Sequence, residues 1–150
     1  MGRRNMNLIE STKRLLTSYR SIMKSIENIK DQIKNMEYTG IRPSKLDGMP
    51  HNPSGESVTE IEALIMISKK EVLRENLKKN KTILRVIDRS LETLTDIEKQ
   101  VIVGYYIENK TWDELSKIVT YSPRNCMRIR NNALTKMSGA IYGHFDSIEK

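Results

Sequence analysis

Residues 111–137 read TWDELSKIVTYSPRNCMRIRNNALTKM, and the way this stretch folds decides how the rest of the chain is read. Its second part, 120–137, carries four cationic residues, three asparagines and no acid. Ser122 followed by Pro123 is a helix-start signal. A serine hydroxyl accepts from the orphan amides of the first turn, and proline suits the first helical position. From there Cys126, Ile129, Ala133 and Met137 recur at spacings of three and four, forming one narrow inner stripe. Arg124, Asn125, Arg128, Asn131 and Asn132 are left on the outer faces. A helix that is small inside and presents forked donors and amides outside suits insertion into a groove of DNA.

Upstream, Thr111 is placed to cap a short helix, with Glu114 three residues on as a capping box requires. Trp112, Leu115 and Ile118 are expected to face inward, with Val119 at its exit. Before it, Thr95 and Glu98 repeat the same box, and Ile97, Val101, Ile102 and Tyr105, with Tyr106 less firmly placed, give a further helix its apolar face. Glu108-Asn109-Lys110 is the turn between these two. Two short helices joined by a tight turn, the second one basic, define a helix-turn-helix.

The first third of the chain has a seven-residue period. Leu8, Leu15, Ile22, Ile29 and Met36 form one row, and Thr12, Tyr19, Ile26 and Ile33 form the other, the two core rows of a coiled-coil seam. Residues 39–56 break the pattern with three prolines and three glycines and are expected to be a loop. Periodicity returns with Val58, Ile61, Ile65 and Val72, then slips to Leu73, Leu77, Leu84, Ile87, Leu91 and Leu94, a slip expected to alter the supercoil locally. Asn80 falls in a core row of the second phase, where it either fixes register or sits in solvent. The fold class expected is therefore all-α. A long antiparallel helical hairpin, coiled-coil-like and spanning residues 1–94, precedes a three-helix helix-turn-helix domain at 95–143 and a tail at 144–150.

Composition agrees with two-faced helices. Only 37% of residues are hydrophobic and 5% aromatic, against 30% charged. The net charge of +7 collects in two zones: residues 1–45 hold ten Lys/Arg against four Asp/Glu, and residues 117–136 hold five against none. A polyanion partner fits that distribution. The single cysteine excludes an intrachain disulfide, and no long apolar run is present, so a cytoplasmic protein with no membrane contact is expected. The histidines, His51 and His144, have no ligand-spaced neighbours, and no phosphate loop or nucleophile motif is found. Neither a cofactor, a metal nor an enzyme activity is expected.

The module at 95–143 resembles region 4 of the sigma-70 factors. Leu115-Ser116 stands where that family has Ile-Ala, Ser122 stands at the recognition-helix cap, and Ala133-Leu134-Thr135-Lys136-Met137 is similar to its closing Ala-Leu-x-Lys-Leu. Thr120 replaces a common turn glycine, and Pro123-Arg124 replace the usual polar pair, so no promoter preference is carried over. The whole layout is similar to small regulators of Gram-positive phages and prophages, of the ArpU and RinA type of late-gene activator. The resemblance implies a transcription regulator that binds double-stranded DNA, with host RNA polymerase as a further candidate partner; the heptad rows of the arm, for their part, allow self-association in addition to the hairpin. By position along the helix, Arg124, Asn125 and Arg128 are the expected base contacts, and Lys117, Ser122, Arg130 and Lys136 the expected phosphate contacts. Two rival functions remain: a phage small terminase subunit, and a protein that binds polymerase or a sigma factor without touching DNA. Trp112 and Cys126 are read as core residues.

Overall fold

A computed structural model describes residues 2–38 and 58–144 of the chain, and the expected loop at 39–56 and most of the 144–150 tail lie outside the described residues. The fold is all-α. Its helices are α1 (Gly2–Tyr38), α2 (Val58–Leu91), α3 (Asp96–Ile102), α4 (Trp112–Val119) and α5 (Pro123–Tyr142), and a π-helical stretch, Val103–Ile107, continues directly from α3. Packing divides the chain into two units: one comprises residues 1–23 and 82–150, the other residues 24–81. The expected boundary at 94/95 is therefore not where the packing divides.

The reason lies in the core of the first unit. Leu16 from α1 and Ile87 and Leu91 from α2 share one buried cluster with Ile102, Ala133, Leu134 and Met137. Leu16 belongs to neither heptad row, yet it is buried, with Ile9 and Leu15 packed beside it. A seam that meets one helix needs two rows, whereas a helix that meets several neighbours buries a wider stripe. Thr12 is also buried, and its hydroxyl is satisfied by donating to the Leu8 carbonyl at 2.8 Å. Tyr19 donates to Asp88 Oδ1 at 2.8 Å. Burial, and then this hydrogen bond, push the Tyr19 phenol above its ordinary range.

In the second unit, residues 24–38 and 58–81 pair antiparallel. Ser25 Oγ accepts from Asn80 Nδ2 at 3.0 Å, and at the other end Glu37 pairs with Lys70 and Arg74 at 3.3 and 3.7 Å. Asn80 is thus half-buried and bonded, an arrangement that fixes register at the expense of an apolar contact. Ile26 and Ile29 are buried here, but the first apolar phase of α2 is not: Ile61, Ile65 and Val72 are all exposed. The phase slip does not bend a common seam. α2 stays α-helical throughout, and the slip turns the earlier stripe away from the side that carries Leu73 and Leu77, which are half-buried.

Candidate nucleic-acid interface

The second buried cluster, Val101, Leu115, Val119 and Cys126, with Tyr105, Trp112 and Ile129 against it, holds α3, α4 and α5 together. Each helix start is built by a side chain. The Thr111 hydroxyl accepts from the Glu114 amide at 3.2 Å while Glu114 Oε2 accepts from the Thr111 amide at 2.9 Å, the complete reciprocal box. At α3 only half of the expected box forms. Thr95 Oγ1 accepts from the Glu98 amide at 3.3 Å, but Glu98 Oε1 is taken by Lys136 Nζ of α5 at 2.6 Å. A charged partner within reach outcompetes a backbone amide for the carboxylate.

Between α4 and α5, Thr120 itself takes the left-handed conformation (φ 59°, ψ 30°) where a glycine is commonest. Ser116 Oγ donates to the Tyr121 carbonyl at 2.6 Å and closes the turn. Ser122 then caps α5, accepting from the Asn125 amide at 3.2 Å, with Pro123 in its first turn. Cys126, Ala133 and Met137 are fully buried and Ile129 is half-buried beside them, so the inner stripe follows the spacing, and burial pushes the Cys126 thiol upward, away from the reactive thiolate.

This orientation leaves Arg124, Asn125, Arg128, Asn131 and Asn132 exposed together on the outside of α5, and Lys117 exposed on α4. Among the described residues no acid is paired with Arg124, Arg128 or Lys117, and α5 contains no acid. Two of the residues expected at phosphates are differently placed. Arg130 is half-buried, its guanidinium 5.0 Å from the centre of the Trp112 ring and 5.7 Å from that of Tyr105, and its Nε donates to Asn131 Oδ1 at 3.2 Å. Lys136 is held by Glu98. Both cations are engaged within the fold, so the free basic face narrows to Arg124, Arg128 and Lys117.

The aromatic arrangement beneath Arg130 was not legible in the sequence. Tyr105 and Trp112 stack at 4.2 Å with an interplanar angle of 17°, and Tyr106 meets Tyr105 edge-on at 4.9 Å. Trp112 is accordingly half-buried rather than fully enclosed. Burial pushes the Tyr106 phenol up, with the Arg130 charge opposing. The π-helical stretch makes this cluster: Glu108 N donates to the Val103 carbonyl five residues back at 2.9 Å, which widens the turn at Gly104. A Cβ at Gly104 would lie 2.5 Å from Leu115 Cδ2, so glycine permits the close approach of α4. Two expected inward residues are exposed instead. Ile97 yields the first-turn contact with α5 to Glu98, and Ile118 lies off the Leu115–Val119 line, which an eight-residue helix makes only narrow.

The match that places this chain among known proteins covers most of α1 and α5 and all of the helices between them: residues 8–139 match the family described as protein of unknown function DUF722. The chain belongs to the DUF722 family. No curated protein and no solved structure is found to match it. The geometry of this DUF722 chain is thus what bears on its function. Among its described residues no helix is long and apolar enough to cross a membrane, and no three His, Cys, Asp or Glu side chains gather as metal ligands would.

Proposed function

We propose that this DUF722 protein is a sequence-specific DNA-binding transcription regulator of phage or prophage type, with α4 and α5 as a helix-turn-helix and α5 as its reading helix. The observation that carries this is the outer face of α5: Arg124, Asn125 and Arg128 stand exposed at its amino-terminal end, with no acid paired to them among the described residues, beside a serine cap. An arginine there can fork onto guanine O6 and N7, and an asparagine onto adenine N6 and N7. Lys117 and the Ser122 hydroxyl are placed to meet phosphates, which supply affinity and salt dependence but no sequence choice. One module of this size buries little surface, so specific affinity comes from two modules held together or from a contact with host RNA polymerase.

The test is a salt titration of binding to duplex DNA with the wild type and with Arg124→Ala/Arg128→Ala. The double change is expected to weaken specific binding by about 2–6 kcal/mol, the scale of two bidentate contacts. Absence of DNA binding even at low salt would sink this reading. Exposed Ile118 on α4, 50% accessible, favours the rival in which the module grips a polymerase or sigma surface instead. A ring of many subunits would point to the small terminase reading.

A further inference from the structure

From residues 24–81 we infer that the outward stripe of α2 is a two-fold self-association surface, on which a second copy of this chain docks α2 against α2 antiparallel. The inference does not depend on DNA binding: a chain that dimerises without binding DNA keeps it and loses the proposed function.

The stripe is Ile61, Ile65, Ser68 and Val72, with Leu64 at its edge, and Met36 of α1 extends it into a shallow apolar groove. Ile61 is 45% exposed, Leu64 63%, Ile65 49% and Val72 59%. Together these side chains offer on the order of 400 Å² of apolar surface per copy, and with their flanks they approach the roughly 600 Å² per partner at the low end of specific interfaces. Side chains spaced at four, three and four over this length are what a partner helix buries, since scattered apolar residues would not align.

Charge identifies the partner. Glu62 and Lys69 lie seven residues apart on one flank of the stripe, and Leu64 and Glu71 on the other. Among the described residues neither Glu62 nor Lys69 has an ion-pair partner. In an antiparallel pair each flank meets the same flank of the second copy. Setting Ile61 against Val72 and Ile65 against Ser68 then brings Glu62 opposite the second copy's Lys69, twice, while Leu64 covers Glu71. A parallel pair in the same phase would set Leu64 against Lys69 and Glu71 against Asn76, with no opposite charges meeting. The surface is complementary to itself in one orientation.

The experiment is sedimentation equilibrium of the full chain across concentration. A monomer–dimer equilibrium is expected. Ile65→Lys, at an exposed position, should weaken it roughly 100-fold or more while leaving helical circular dichroism unchanged. Should that variant unfold, Val72→Lys asks the same question. Glu62→Lys should weaken the dimer roughly tenfold, and adding Lys69→Glu should restore it to within about threefold. A chain that stays monomeric at its highest soluble concentration, a ring of many subunits, a dimer indifferent to both lysine substitutions, or a charge swap that fails to restore association would each overturn the proposal.

Discussion

The two ends of α2 are equally helical and comparably apolar, yet they end up in different surroundings. Near its carboxy terminus Ile87 and Leu91 are buried in a core shared with α1, α3 and α5. Near its amino terminus Ile61, Ile65 and Val72 stand in solvent. The difference teaches that an apolar period states only that a helix has something to bury. Where the described residues supply a neighbour, the stripe becomes core; where they do not, the stripe stays exposed.

The sharpest way to break this comparison is Leu16→Ala. If α1 were an arm standing apart from the carboxy-terminal helices, the change would cost little. Because Leu16 is buried among Ile87, Leu134 and Met137, it should lower unfolding free energy by about 2–5 kcal/mol in a urea titration. Ile61→Ala, at an exposed position, should stay within about 0.5 kcal/mol for the monomer. Gly104→Ala comes next. Its methyl would press on Leu115, itself buried, and a loss of about 1–3 kcal/mol is expected, with the Tyr105–Trp112 stack and hence near-ultraviolet dichroism disturbed.

Thr120→Gly should act in the opposite direction. A β-branched residue in the left-handed region is strained, and relieving it should stabilise the fold by about 1 kcal/mol, read as a raised Tm. Arg130→Ala should cost about 0.5–1 kcal/mol in stability, the worth of a guanidinium over aromatic rings, and leave the salt slope of DNA binding unchanged. A lower slope would return Arg130 to the phosphates. The smallest effect concerns pH. Tyr19 and Tyr106 have raised folded-state pKa values, chiefly from burial, so their contribution is complete below the ordinary tyrosine range and is lost as pH rises through the raised values. Stability measured into the alkaline range should fall there, and Tyr106→Phe should blunt the fall.

The two kinds of legibility separate by distance along the chain. Sequence by itself determined the helices, the caps at Thr95, Thr111 and Ser122, the buried stripe Cys126–Ala133–Met137 and therefore the exposed face with Arg124, Asn125 and Arg128. Each of these depends on residues within about one or two turns of one another, because caps and helical faces are set by backbone hydrogen bonds to near neighbours. Tertiary structure alone decided that Leu16 joins a core assembled from residues beyond position 80, that Glu98 leaves its capping box for Lys136, that Arg130 lies over Trp112, and that Ile61 and Val72 face outward. These outcomes turn on which distant side chain the fold brings within reach of a carboxylate, a ring or an apolar stripe, and a local period contains no record of residues far along the chain.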